Sequence, residues 1–100
     1  MLENIGKISE IIKEAPKQPG VYIFFGSSKK VLYVGKAIKL RERLKFYIDK
    51  NVLFKYPKTL KMVDSAVDLT YFTVDTEVEA LVLEANLIRK YKPKYNIDLR

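Results

Sequence analysis

The sequence predicts a small α/β (α+β) domain in which helices cover a short antiparallel sheet. Three observations lead to this prediction. The chain has 100 residues with 48% hydrophobic content, which is enough for one core. Three runs are rich in β-branched and aromatic residues. Segments whose apolar residues have helical spacing separate these runs.

The first part of the chain predicts one helix and two strands. Helical spacing over residues 2–14 predicts an amphipathic helix, with the apolar stripe Leu2, Ile5, Ile8, Ile11 and Ile12. Pro19-Gly20 marks a turn into extended chain. The runs VYIFF at 21–25 and VLYVG at 31–35 predict two strands, joined by a five-residue hairpin loop at 26–30.

The middle of the chain predicts two helices and a third strand. Residues 38–49 carry apolar side chains at i, i+4 and i+8, a pattern that predicts a helix with one apolar stripe. Residues 50–57 are expected to be irregular and end at a proline, after which a basic helix of about nine residues follows. The run LTYFTV at 69–74 predicts the third strand.

The last predicted helix has clear signals at both ends. Thr76 and Glu79 have the spacing of a capping box, so the helix is expected over 77–91 and should end near Lys92-Pro93. Apolar residues lie on several of its sides. We therefore expect this helix to be central and mostly buried.

Charge is concentrated in one part of the chain. The net charge is +7, and residues 36–61 hold nine Lys or Arg against two acidic residues. A local excess of this kind indicates a polyanionic partner such as nucleic acid. A solvated, lysine-rich helix face would look similar in sequence.

The composition also excludes several classes of protein. The chain has no cysteine, which excludes disulfides and thiolate zinc sites and is compatible with a reducing compartment. No apolar run approaches 18 residues, so we expect a soluble, cytoplasmic protein without membrane contact. Histidine is absent, which excludes histidine-based nuclease chemistry.

Glu84 is a candidate metal ligand because it stands where an apolar side chain is expected. It shares a helical stripe with apolar neighbours, Leu81, Leu87, Ile88 and Tyr91. Burying a carboxylate there is costly unless a cation, a metal or hydrogen bonds compensate it. The alternative is a side chain that reaches solvent or pairs with a lysine. Glu77 lies on the same stripe, but the helix dipole favours a carboxylate in the first turn.

A second candidate group lies on the helix predicted over 38–49. Lys39, Arg43 and Tyr47 follow at i, i+4 and i+8 and should share one face beside the apolar stripe. Such a face suits phosphate binding. An exposed, salt-bridging face would give the same pattern.

If the partner is a phosphodiester, few groups remain to perform the chemistry. One hard divalent cation on a single carboxylate, with Lys and Arg neutralising charge and tyrosine accepting a proton, fits this composition. A free tyrosine has a pKa of about 10. For tyrosine to act as a base near neutral pH, its pKa must fall by about 3, or the reaction must bear an equivalent free-energy cost. If the strand ends at Gly35 and the backbone turns there, the Lys36 ammonium could lower the pKa of Tyr33. Gly35 would also permit close approach of a phosphate.

The paired motifs Gly20-Val21-Tyr22 and Tyr33-Val34-Gly35 resemble those of the GIY-YIG nuclease superfamily. The segments PGVYIF, VLYVGKAIKLRERL, TEVEALVLEANLI and YKPKYN resemble the amino-terminal nuclease domains of the UvrC family. This resemblance covers nearly the whole chain in the correct order.

The resemblance implies a three-stranded antiparallel sheet flanked by helices. It also implies a DNA endonuclease of nucleotide excision repair that cuts damaged duplex on the 3′ side of a lesion, using one Mg²⁺ or Mn²⁺ ion. Residues 1–100 would form one domain, the amino-terminal fragment of a longer protein. A UvrB-type partner would bind regions outside this chain, and the isolated domain is expected to be a monomer.

The resemblance also implies roles for individual residues. Glu84 matches the metal-binding glutamate, Tyr33 the general base and Tyr22 its supporting tyrosine. Matches to further catalytic residues are Lys36, Arg43, Tyr47 and Asn96. The residues expected to contact DNA are Lys36, Lys39, Arg41, Arg43 and Lys45.

The chain departs from the family pattern in two places, and other functions stay open. Ile38 stands where a basic residue is common, and residues 49–61 do not align well, which leaves DNA contacts there undefined. A non-catalytic nucleic-acid-binding module would use the same basic and aromatic residues. A covalent Tyr33–DNA intermediate is a third hypothesis, which the resemblance disfavours. A stand-alone repair nuclease or a homing nuclease is conceivable within the superfamily.

Overall fold

The computed structural model describes residues 2–98 as a sheet between two helical layers. In chain order the elements are α1 (Ile5–Glu14), β1 (Gly20–Phe25), a 3-10 turn (Ser27–Lys29), β2 (Val31–Ala37), α2 (Leu40–Lys45), a second 3-10 turn (Phe46–Ile48), α3 (Lys50–Leu53), α4 (Pro57–Ser65), β3 (Asp68–Thr73), α5 (Glu77–Tyr91) and α6 (Lys94–Asp98). The predicted fold class is confirmed.

The sheet has the strand order β2-β1-β3, and both pairs are antiparallel. Tyr22 lies opposite Gly35 on β2 and Tyr71 on β3, while Phe24 lies opposite Tyr33. Strand β2 is therefore at an edge, and its outer side has no strand partner among the described residues. The two tyrosine motifs are thus placed on adjacent strands, where they face each other at Tyr22 and Gly35.

Alternate residues of the strands pack into two separate clusters, because successive side chains point to opposite faces of a sheet. Val21, Ile23 and Val34 pack with Ala80 of α5 on one face. The larger cluster fills the other face, where α1, α2 and α4 cover Tyr22 and Phe24. The site described below draws on residues of both faces.

Several boundaries agree with the predictions. Helix α5 has the predicted bounds, and the Thr76 hydroxyl accepts a hydrogen bond from the Glu79 N–H at 3.1 Å, as expected of a cap. It ends at Lys92 in the left-handed region, just before Pro93. Helix α4 begins at Pro57 and has nine residues. The loop at 26–30 separates β1 and β2 as predicted.

The region after β2 differs from the prediction in three ways. Strand β2 continues to Ala37 instead of ending at Gly35, so the expected turn at Gly35 is wrong. The helix expected over 38–49 starts only at Leu40 and tightens into a 3-10 turn after Lys45. Residues 50–57 are not wholly irregular, since Asp49 caps the short helix α3 by accepting from two backbone N–H groups.

The expectation that α5 is mostly buried is wrong. Ala80 is its only buried residue, and the exposed fractions of Val78, Leu81 and Val82 are 69%, 52% and 54%. The physical reason is one-sided packing. A sheet covers only the side of a helix that lies on it, so the apolar residues on the other sides of α5 face solvent.

Candidate active site

A pair of buried tyrosines stands at the centre of the site. Tyr22 on β1 and Tyr47 in the second 3-10 turn are each 1% exposed, and their hydroxyl oxygens lie 2.7 Å apart, a hydrogen-bond distance. The Arg43 guanidinium reaches both, with Nε 3.4 Å from the Tyr22 hydroxyl and Nη2 3.5 Å from that of Tyr47. The sequence expectation that Arg43 and Tyr47 lie together is confirmed by this geometry.

Tyr33 joins this group from the neighbouring strand. It lies opposite Phe24, diagonal to Tyr22, and the ring centroids of Tyr22 and Tyr33 are 6.4 Å apart. Tyr33 is half-buried, whereas Tyr22 is enclosed. Of the two motif tyrosines, Tyr33 is therefore the one that a substrate can reach.

The pKa of each tyrosine in the cluster is raised, and burial is the largest cause in all three cases. For Tyr33 the negative charge of Glu84 adds to the increase in pKa, while the positive charge of Arg43 and a hydrogen bond with Tyr47 oppose it. The surrounding side chains alone therefore do not produce the depressed tyrosine pKa that base catalysis near neutral pH requires. A divalent cation beside Glu84 would replace the net negative charge there with a positive one, which would lower the pKa of Tyr33.

Gly35 is needed for close packing of Tyr22. A Cβ at position 35 would overlap the Tyr22 ring and hydroxyl. Gly20 has a similar role, since its Cβ would overlap the Phe72 carbonyl and the Leu40 side chain. Neither glycine has a positive φ. The glycines of both motifs thus allow the strands and helix α2 to lie close together, and at Gly35 the missing side chain makes room for Tyr22.

We expect Gly35→Ala to destabilise the fold by about 1–3 kcal/mol, because the added methyl group must displace the enclosed Tyr22 ring. Gly6→Ala is the matched control. Gly6 lies exposed on α1 with no atom near the added Cβ, so this change should stabilise by about 0.5–1 kcal/mol. Urea unfolding of the two variants measures both effects. Equal midpoints for Gly35→Ala and wild type would contradict the packing role.

Glu84 and Lys36 approach from the α5 side of the sheet. Burial is the largest influence on the Glu84 carboxyl and raises its pKa, while the Lys36 ammonium and backbone N–H act in the opposite direction. Lys36 is exposed on β2, two residues beyond Val34, so its backbone groups also face the outer edge of the strand. The site therefore wraps around the sheet edge, with the tyrosines on one face and the carboxylate on the other.

Asn96 holds that same edge of β2. Its side-chain Oδ1 accepts from the Val34 N–H at 2.8 Å, and its Nδ2 donates to the Val34 carbonyl at 2.8 Å. Both polar groups of the amide are thus used by backbone next to Tyr33, which makes Asn96 a positioning residue. Helix α6, which carries Asn96, was missed because five residues are too few for a periodic pattern. The available signal in the sequence was an aromatic residue, Tyr95, two positions after Pro93.

The basic residues expected to contact DNA do not all have the same surroundings. The Arg41 Nε donates to the Ala15 carbonyl at 2.6 Å, so this guanidinium ties α2 to the end of α1. Lys39 is exposed but lies before α2, outside the helix that was expected to group it with Arg43. Lys45 is exposed at the end of α2.

The donor set fits a single divalent cation held by one carboxylate. Among residues 2–98, no cluster of three or more carboxylate, His or Cys side chains could hold a metal. Glu84 takes part in neither ion pair of this part of the chain, and burial disfavours its charge. A cation that keeps several water ligands needs few protein donors, and Mg²⁺ is such a cation.

A sequence profile described as the UvrC-like GIY-YIG domain matches residues 18–97. The chain belongs to this family. The match includes every candidate site residue named above. The resemblance inferred from the sequence motifs is therefore confirmed.

Individual relatives of this GIY-YIG domain are much longer proteins. UvrABC system protein C of Thermoanaerobacter sp. (strain X514) is 47% identical over 93 residues, which are 93% of this chain and 15% of the relative. The protein of the same name from Pseudothermotoga lettingae is 51% identical over 89 residues, 88% of this chain and 16% of the relative. The chain thus spans less than a fifth of the length of these relatives.

A solved structure has the same fold. It is the GIY-YIG N-terminal endonuclease domain of UvrC from Thermotoga maritima, bound to its catalytic divalent cation, magnesium. The two chains are 42% identical and superpose with a TM-score of 0.80, covering 89% of this domain and 94% of that one.

Within residues 2–98 of the present domain, no helix is long and apolar enough to cross a membrane.

Proposed function

We propose that this GIY-YIG domain is a magnesium-dependent DNA endonuclease that makes the 3′-side incision at damaged DNA in nucleotide excision repair. The observation that carries the proposal is the placement of Tyr33 and Arg43 around the buried Tyr22 hydroxyl at the same sheet edge that Glu84 approaches from the other face. Arg43 and Glu84 both influence the pKa of Tyr33, in opposite directions, which agrees with this placement. The magnesium-bound endonuclease domain of Thermotoga maritima supports the assignment.

In the proposed mechanism Tyr33 accepts the proton of the attacking water. Tyr33 is half-buried, whereas Tyr22 and Tyr47 are enclosed, so its hydroxyl is the accessible one of the tyrosine cluster. Mg²⁺ on Glu84 would supply Lewis-acid polarisation of the phosphate and neutralise charge. Mn²⁺ would fit the same oxygen donors.

The cationic side chains stabilise negative charge that develops on the phosphate. Arg43 is fixed by the Tyr22 and Tyr47 hydroxyls, so its guanidinium needs little reorganisation during the reaction. Lys36, exposed beside Glu84, provides a second positive charge. Asn96 contributes by holding the backbone of the strand that carries Tyr33 and Lys36. Lys39 and Lys45 are proposed to contact the DNA backbone.

The wider assembly is part of the same proposal. The chain is proposed to be the amino-terminal domain of a longer cytoplasmic protein, since it covers 15% of a UvrABC relative. A UvrB-type partner would bind outside these 100 residues and deliver the damaged duplex. The isolated domain is proposed to be a monomer.

The test is the position of the cut. This domain replaces the amino-terminal domain of a UvrC protein of known incision activity, and the chimera is incubated with its partner subunits, Mg²⁺ and an end-labelled duplex carrying one lesion. We expect one cut on the 3′ side of the lesion in the damaged strand. Cutting that is independent of the lesion would contradict the repair role. An uncut duplex, when the parent UvrC cuts it, would contradict the nuclease assignment.

A further inference from the structure

Two aromatic rings meet edge-on near the surface, next to the arginine of the active site. Tyr56, which precedes α4, is 52% exposed, and its ring meets Phe46 edge-on with the centroids 5.7 Å apart. Phe54 lies two residues earlier and is 60% exposed. We call Phe46, Phe54 and Tyr56 the aromatic surface. Large exposed rings grouped in one segment of a small domain indicate a binding surface.

This aromatic surface is joined to the active site by direct contacts. The Arg43 guanidinium carbon lies 4.9 Å from the centroid of the Phe46 ring, within the range of a cation–π interaction. The same guanidinium reaches the hydroxyls of Tyr22 and Tyr47. A strand whose phosphate is bound by Arg43 would therefore pass beside Phe46 and Tyr56.

The charge around these rings has one sign. Residues 43–61 contain six Lys or Arg and one acidic residue, Asp49. The Asp49 carboxylate is used to cap α3, where it accepts from the N–H groups of Asn51 and Val52. The exposed lysines of this stretch are Lys45, Lys50, Lys55, Lys58 and Lys61. None of them belongs to an ion pair in the part of the chain that the structure describes.

Rings interleaved with cations favour single-stranded nucleic acid over the other possible occupants. Unstacked bases offer π-faces to exposed rings, and the lysines can follow the phosphates. The bases of an intact duplex are stacked on each other and cannot meet a ring face-on. An apolar protein partner would have to bury the surrounding lysines, which is costly without paired carboxylates.

We propose that Tyr56, supported by Phe46, stacks on unpaired bases of the DNA strand that flanks the phosphate bound by Arg43, with the neighbouring lysines contacting its backbone. The inference rests on the proposed function, because it extends the same DNA site. It gives residues 46–58 a role in binding locally opened DNA rather than continuous duplex. It also explains why this segment of short helices carries exposed rings.

Binding is measured with the 100-residue chain, in EDTA to prevent cutting, by the anisotropy of a fluorescein-labelled 16-nucleotide oligothymidylate and of a hairpin duplex of equal length. We expect Tyr56→Ala to weaken binding of the single strand about tenfold, since a stacked base contributes strongly to such affinities. Tyr56→Phe keeps the ring and should bind like wild type. Tyr56→Ala should weaken binding of the hairpin duplex much less than binding of the single strand.

Tyr91→Ala is the matched control. Tyr91 is 44% exposed on α5 and lies beside Lys90, whose Nζ is 5.2 Å from its ring centroid, so it has similar chemistry in another place. This variant should bind like wild type. Equal losses for Tyr56→Ala and Tyr91→Ala, or equal losses on single strand and duplex, would overturn the proposal. Unchanged thermal melting of each variant establishes that the fold is intact.

A second readout separates this inference from the proposed function. With 2-aminopurine in the single strand, stacking on Tyr56 should change its emission in the wild type and not in Tyr56→Ala. Identical emission changes in both proteins would overturn the stacking role, whatever the nuclease result. Loss of lesion-directed cutting in the chimera, with the Tyr56-dependent emission change retained, would overturn only the proposed function.

Discussion

Glu84→Gln is expected to reduce metal-dependent DNA cutting by about 100-fold or more. Mutating a residue that only orients a metal ligand lowers metal affinity or activity by up to about 100-fold. Removing the one carboxylate of the site should therefore lower activity at least as much. Glutamine has the same size and keeps a carbonyl oxygen, but it lacks the negative charge that holds a divalent cation. The measurement is the rate of plasmid or lesion-duplex nicking by the chimera at fixed Mg²⁺ concentration.

Stability gives an independent readout for the same variant. Burial raises the pKa of Glu84 above its ordinary value, so the ionised side chain costs stability at pH values above that ordinary pKa, and the cost is removed on protonation. The neutral glutamine should therefore melt at the same temperature as wild type, or higher, at neutral pH without metal. Adding Mg²⁺ should raise the melting temperature of wild type and leave that of Glu84→Gln unchanged.

Glu77→Gln is the control for this experiment. Glu77 lies on the same helix two turns earlier but is exposed in the first turn. It should keep both the nicking rate and the magnesium-induced stabilisation. A Glu84→Gln protein that cuts at the wild-type rate would remove Glu84 from the metal site, and loss of function in both variants would point to a general charge effect of α5.

Tyr33→Phe should lower the cutting rate by about 10²–10⁴-fold, the range typical of a lost general base. The change removes one half-buried hydroxyl and leaves the ring packing intact, so stability should hardly change. Tyr22→Phe should behave differently. Its hydroxyl is paired with that of Tyr47 at 2.7 Å inside the fold, and its loss leaves the buried Tyr47 hydroxyl with only the longer contact to Arg43, at a cost of about 1–3 kcal/mol.

The two variants together test the division of roles between the motif tyrosines. Rates from single-turnover cutting and free energies of unfolding from urea titration should show a large kinetic defect for Tyr33→Phe and a large stability defect for Tyr22→Phe. The reverse result would exchange their roles. Protein covalently attached to a DNA end in wild-type reactions would replace the base assignment of Tyr33 with a nucleophilic one.

The sequence was most informative where local chemistry decides the structure. The capping pair Thr76 and Glu79 predicted the start of α5, and the proline after Lys92 predicted its end. Runs rich in β-branched and aromatic residues predicted the strands, because these residue types favour extended chain whatever the partner strand is. The misplaced carboxylate Glu84 was likewise visible from the helical stripe alone.

Features that depend on tertiary packing were not visible in the sequence. A glycine at position 35 is compatible with either a turn or a close contact, and only the register of β1 against β2 places the Tyr22 ring over it. The helical wheel of α5 shows where its apolar residues lie but not which of its sides the sheet covers. Arg41 is part of a basic run, yet the nearby end of α1 provides a carbonyl that holds it. In each of these cases, contacts with residues distant in sequence determine the surroundings of the side chain.

The amide of Asn96 has a consequence for self-association. The outer edge of β2 would otherwise present unpaired N–H and C=O groups to strands of other molecules, which is a common route to aggregation. A single side chain from a five-residue helix pairs with Val34 as a fourth strand would, and so closes this edge at its centre. This edge is thereby blocked against added strands, while Tyr33 on one face and Lys36 on the other remain accessible beside it.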